Sequence, residues 1–206
     1  MNSKLLFAAA LAASLTMAGC NKAATPGPTD AATAAKVAAQ SVSIAEIAAD
    51  AKGFTVGAPM SAHTVYVFFD AQCPHCADLW DAAKPLKSEA KFVWIPVGVL
   101  NQASTDQGAA LLASKDPATA MDAHETSMRA RLGGITTSAD TDAQKAEVKK
   151  NTELMTRFGF DSIPTIVGTN AQTGALVTQE GASATPALAK LLGLRIPLDQ
   201  TNAPAS

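Results

Sequence analysis

The sequence predicts an α/β fold: strand, helix, strand, a helical insertion, then a hairpin and a closing helix. Three observations carry this prediction. Val65-Tyr66-Val67-Phe68-Phe69 and Lys91 to Leu100 (KFVWIPVGVL) are apolar, β-branched and aromatic runs of strand length. Between them Asp70-Ala71-Gln72 turns the chain into Cys73-Pro74-His75-Cys76, where Pro74 suits a first helical position and Leu79, Trp80, Ala83 and Leu86 recur at helical spacing. From about 101 to 158 the pattern is helical and mostly polar, and two short strand-like runs follow it, Thr165-Ile166-Val167 and Ala175-Leu176-Val177.

Taken in order, residues 1–19 read as a leader, with Lys4 as the positive end and an apolar run from Leu5 to Met17 too short for a comfortable membrane span. It ends in Met17-Ala18-Gly19-Cys20, which resembles the bacterial lipobox, where the cysteine is acylated. A plain secretory leader cut near Ala18-Gly19 is the alternative. Either reading places the chain outside the cytoplasm, where disulfides form and need managing. Residues 20–33 are a flexible tether of Ala, Thr, Pro, Gly and Asp. Residues 34–53 hold an Ala-rich helix or linker from Ala34 to Ala51, with Val37, Ile44 and Ile47 near one face and Gly53 as a stop. The compact domain is expected over 54–195 and a loose tail over 196–206.

Within the domain, Pro85 should disrupt the end of the first helix, because it removes a backbone donor and crowds the preceding turn. Candidate insertion helices are Gln107–Ser114, Pro117–Arg131 and Thr141–Arg157, the last with Thr141 and Gln144 placed as a capping box. Thr169-Asn170-Ala171 reads as the hairpin turn, and a last helix from about Thr185 to Leu192 stops at Gly193.

The chemistry concentrates in the Cys-X-X-Cys tetrad. Two thiols at the start of a helix face unpaired backbone N–H groups and the positive end of the macrodipole, which stabilise a thiolate. That context points to a dithiol/disulfide redox centre. A structural zinc needs about four ligands, and the remaining Cys20, His63 and His124 form no second ligand pair, so no metal and no cofactor is expected. His75, between the sulfurs, is a candidate for tuning the thiols, with a solvated turn residue as the alternative. Asp70 is read as a turn-forming aspartate rather than a proton relay. The net charge of −2 gives no nucleic-acid footprint.

The element order describes a thioredoxin fold with a helical insertion between the second and third core strands. From about Val65 to Gly193 the chain resembles the catalytic domain of the periplasmic DsbG/DsbC disulfide isomerases, and among them DsbG. The carrying segments are VYVFFDAQCPHC, Leu79-Trp80 with Pro85, PVGVL at 96–100, LLASKDPATAM at 111–121, NTELMTRFGF at 151–160 and IPT at 163–165. The resemblance implies an attacking Cys73, a resolving Cys76 and a cis Pro164 opposite them, with backbone around Ile163 pairing to a substrate peptide beside Thr165. Local sequence alone leaves cis and trans open at Pro164. The tetrad is similar to that of the oxidase DsbA, whereas Ile163-Pro164-Thr165 is similar to thioredoxin. The isomerases also carry an N-terminal dimerisation domain for which residues 21–53 leave little room, so a monomer is expected.

The resulting expectation is an exported, lipid-anchored thiol–disulfide oxidoreductase that reduces or isomerises disulfides in envelope proteins. A membrane thiol reductase of the DsbD type would supply its electrons. A DsbA-like disulfide donor and a soft-metal (copper) chaperone using the same cysteines are the rival readings.

Overall fold

A computed structural model of the chain describes residues 39–137 and 140–197. The leader, Cys20, the tether and residues 198–206 lie outside the described residues.

Five strands form one mixed sheet in the order β1-β3-β2-β4-β5. They are β1 Phe54–Gly57, β2 Thr64–Asp70, β3 Lys91–Val97, β4 Thr165–Thr169 and β5 Leu176–Glu180. Central β2 runs parallel to β3, from Thr64 opposite Lys91 to Asp70 opposite Val97, and antiparallel to β4, with Phe68 opposite Thr165. β1 and β5 pair antiparallel on the two edges.

Side chains alternate across the sheet with period two, and this divides the core. Val65, Val67 and Phe69 of β2 join Phe92 and Trp94 of β3 on one face, under Cys76, Leu79 and Trp80 of helix α2 (Pro74–Ala83) and Leu188 and Leu192 of α6 (Thr185–Leu192). Tyr66, Phe68, Ile95 and Val97 face the other way, against Leu154, Met155, Phe158 and Phe160 at the end of α5 (Asp142–Arg157). Edge-to-face contacts run from Phe54 to Phe69, Phe69 to Trp94 and Trp94 to Trp80, so the redox helix rests on a rigid aromatic floor.

The helix α2 ends at Ala83, and Lys84–Leu86 continue as a 3-10 turn around Pro85. Gly193 closes α6 with φ 66°, and a Cβ there would lie 2.5 Å from the Asn170 side-chain oxygen, which caps the hairpin turn.

Several elements differ from the sequence expectation. The N-terminal helix α1 spans only Ile44–Asp50, because Ser43 accepts from the Glu46 N–H as its cap and Gln40 N–H donates to the Arg157 carbonyl instead of into a helix. It does not dangle: Ile47 is fully buried beside α5, and Arg157 pairs with Glu46 and Asp50. The folded unit therefore begins before Phe54. At its other end Ile196, expected to open a loose tail, packs partly buried against the first core face.

The insertion supplies α3 (Gln102–Ala113), α4 (Pro117–Arg129) and α5 between β3 and β4. Helix α3 starts five residues earlier than expected, because Asn101 and Ser104 cap each other reciprocally. Thr141 is the N-cap residue of α5, yet its side chain makes no capping bond, so the box with Gln144 does not form. Strand β1, only four residues long, carries no alternation strong enough to announce itself.

Candidate active site

The site grows from the C-terminal end of β2. The buried Asp70 carboxylate accepts the Gln72 N–H on Oδ1 at 2.8 Å and the Val99 and Leu100 N–H groups on Oδ2 at 2.9 and 3.0 Å. It thereby ties the ends of β2 and β3 and shapes the turn. Cys73 follows as the N-cap residue of α2, extended at φ −94° and ψ 114°, with Pro74 behind it. Its N–H donates to the Asp70 carbonyl, while Cys76 and Ala77 donate to the Cys73 carbonyl. Its thiol reaches toward the Ile163 carbonyl at 3.9 Å. The Ile163-Pro164 peptide is cis, and Pro164 and Thr165 are buried directly before and within β4. Sequence-distant Cys73, Cys76 and Ile163-Pro164-Thr165 thus meet at one end of the sheet.

The two thiols are unbridged and inequivalent. A hydrogen bond from Cys76, helped by the Cys76 and His75 backbone N–H groups, draws the Cys73 thiol down to about 7 against partial burial. Burial first, then the bond to Cys73 and its charge, push the Cys76 thiol far up. One sulfur is poised as thiolate and the other held as thiol. Within the pair, alkylation of the reduced protein by iodoacetamide should therefore rise with an apparent midpoint near pH 7, modify Cys73 and spare Cys76. A midpoint above about 8.5, the free-thiol value, would contradict this polarisation.

Cys73 is less open than a helix-start position suggests. It is 6% exposed and looks into a cavity of about 210 Å³ walled by Pro74, Ala77 and Asp78 of α2 and by Glu125, Met128 and Arg129 of α4. His75 points the other way: its imidazole is 76% exposed and lies 3.6 Å from Asp78. The His75 group directed at Cys73 is its backbone N–H.

Residues of the insertion to which the sequence assigns no role at the thiols grip the active-site turn. Buried His124 places Nε2 2.6 Å from the Ala71 carbonyl and accepts the Ile135 N–H on Nδ1 at 3.2 Å. Nε2 is thus the donor of a neutral ring, and burial pushes its pKa down. Gln72 donates to Gln107, whose own amide donates to the Gly133 carbonyl. Asp81, Lys84, Asp122 and Arg129 form an ion-pair network between α2 and α4, with the Trp80 indole donating to Asp122. Buried Met121, His124 and Glu125, with Met128, recur along α4 at the spacing of one helical face. That periodicity was the available signal. Among the described residues no group of three or more His, Cys, Asp or Glu gathers to hold a metal.

Comparison with known proteins agrees with this geometry. The thiol:disulfide interchange protein DsbG of Pseudomonas aeruginosa is 36% identical over 137 residues, covering 64% of this chain and 51% of that protein. Escherichia coli DsbG is 34% identical over 104 residues, covering 50% and 42% respectively. The chain thus spans about half the length, or less, of these curated relatives. A crystal structure of a periplasmic thioredoxin-like protein from Salmonella enterica serovar Typhimurium superposes with a TM-score of 0.58 at 15% identity, covering 75% of this chain and 97% of that one. A family model for the thioredoxin-like domain matches residues 58–194, from just before β2 to just after α6. The chain belongs to the thioredoxin-like domain family.

Proposed function

We propose that the protein is an exported thiol–disulfide oxidoreductase that works in the reducing direction, as a reductase or isomerase of envelope-protein disulfides. The observation that carries thiol–disulfide exchange is the polarised pair, Cys73 held toward thiolate and Cys76 held as buried thiol, beside Ile163-Pro164, and the similarity to DsbG supports the reducing direction. The Cys73 thiolate attacks one sulfur of a substrate disulfide and expels the other as a thiolate. The Cys76 thiol, losing its proton, then attacks Cys73 in the mixed disulfide and releases the second substrate thiol, leaving Cys73–Cys76 oxidised. Two electrons pass to substrate, and a membrane thiol reductase of the DsbD type would return them.

Ile163, Pro164 and Thr165 are the proposed substrate-facing segment, and His75 a surface residue that modulates the pair. Acylation of Cys20 would tether a monomeric domain at a membrane in the periplasm. The lipobox-like segment and the similarity to DsbG support this placement. Among the described residues no helix is long and apolar enough to cross a membrane.

One observation favours a second reading. A lowered Cys73 thiol stabilises the reduced form and makes the disulfide more oxidising, as suits a DsbA-like donor. Trapping thiols in intact cells with a mass-adding alkylating reagent separates the two. The proposed reading expects a pool mainly reduced, and oxidised when the membrane reductase is removed; a pool almost wholly disulfide-bonded would overturn it in favour of the donor.

A further inference from the structure

Glu125 is the one charged-type side chain on the wall of the Cys73 cavity whose placement the fold does not explain. It is 2% exposed, its Oε1 is fully buried without a hydrogen-bond partner, and Glu125 and Cys73 both line the same cavity. Leaving such an atom unpaired costs stability and calls for a reason. The cation on its own helix is already engaged: Arg129 donates to the Ala77 carbonyl and pairs with Asp81.

We propose that Glu125 is the proton donor to the thiolate that leaves when Cys73 attacks a substrate disulfide. The assignment rests on the thiol-exchange reading above.

Arg129 on its own helix and Lys84 after α2 favour its charged form; Asp81 of α2 and the Cys73 thiolate oppose it, and Asp78 shares the cavity wall. Burial dominates and pushes the carboxyl up to about 8, so it is protonated at neutral pH. Part of that elevation comes from the Cys73 charge. When the thiolate becomes a disulfide sulfur the charge vanishes, and the carboxyl surrenders its proton more readily at the moment a leaving thiolate needs one.

The step balances. Cys73 thiolate, disulfide and protonated Glu125 give the mixed disulfide, one substrate thiol and Glu125 carboxylate. The proton that Cys76 loses as it attacks goes to the second departing thiolate. Substrate ends as two thiols, the enzyme as a disulfide with ionised Glu125, and reduction of the enzyme restores the starting state.

The test compares two probes with the full-length protein. Oxidised glutathione expels an aliphatic thiolate that needs a proton; 5,5′-dithiobis(2-nitrobenzoate) expels an aromatic thiolate that does not. In Glu125→Gln the ratio of the first rate to the second should fall by about tenfold or more, while Cys73 alkylation by iodoacetamide confirms an intact thiolate. In wild type the ratio should fall as pH passes about 8, and in the variant it should be flat. A ratio unchanged by the substitution overturns the assignment. Should the variant not fold, a wild-type ratio that ignores pH does the same. A wild-type protein that reduces neither probe overturns the thiol-exchange reading and the donor role with it, a pattern distinct from the first two.

Discussion

Replacing Cys73 with Ser should abolish disulfide reduction, down to the uncatalysed background, while Cys76→Ser should stop turnover at a different place. A serine hydroxyl is not ionised near neutral pH, so none of the groups that draw the Cys73 thiol down to about 7 can make it a nucleophile. In Cys76→Ser the attacking sulfur remains, but the buried resolving thiol is gone, and the mixed disulfide with substrate has no intramolecular exit. Non-reducing electrophoresis of the two variants with an oxidised substrate protein distinguishes them: no adduct from Cys73→Ser, an accumulating and thiol-reversible adduct from Cys76→Ser. Adducts from Cys73→Ser would reverse the assignment of the two sulfurs.

The second large effect is on stability. Glu125 keeps a proton in the folded state up to about pH 8, whereas the unfolded chain releases it near 4.5. Across that window the folded state binds more protons, so stability falls as pH rises, by on the order of 5 kcal/mol in total. Glu125→Gln carries no such proton, so its stability relative to wild type should climb over the same interval. Two other groups also bend the curves, His124 alike in both proteins and Cys73 with a coupling to Glu125 that stays small while the carboxyl is protonated. Buried neutral His124 weakens the fold at acid pH. Cys73, with its thiol lowered from 9.0 to about 7, adds stability between those values. Urea titrations of both reduced proteins between about pH 5 and 8 give the difference directly, and parallel curves would remove the buried-carboxyl account.

What the sequence disclosed follows from how local each signal is. Val65 to Phe69 and the Lys91 run are strands because both faces of the central sheet are buried, and continuous apolar runs say so without knowledge of the partner. Cys73, Cys76 and Pro74 report a helix start from four adjacent residues, and the described helix begins at Pro74. The aspartate read as turn-forming does hold the turn, through three backbone donors.

The misses are of another kind. Helix α3 begins at a cap made by Asn101 and Ser104, neither of which belongs to the apolar pattern used to find helices. Within the described residues helix α1 starts later than the alanine pattern suggests, because alanines extend a helical pattern indefinitely, whereas the Ser43 cap and the backbone bond from Gln40 to Arg157 set its start. His124, Glu125 and Gln107 act on residues 35 to more than 50 positions away, and no local period reports such a partner. Imidazole near the thiols was expected from its position between two sulfurs, but a side chain at the second position of a helix projects outward, and His75 faces solvent and Asp78.

The central claim is that this fold builds one two-electron dithiol couple from Cys73 and Cys76. The direct measurement is equilibration of the protein in glutathione buffers of graded ratio, with the redox state of each cysteine read by mass after acid quenching. The account predicts a single two-electron transition, of about 30 mV per tenfold change in equilibrium constant, ending in an intramolecular Cys73–Cys76 bridge. A protein that instead accumulates glutathione on Cys73 and never closes the bridge would contradict it.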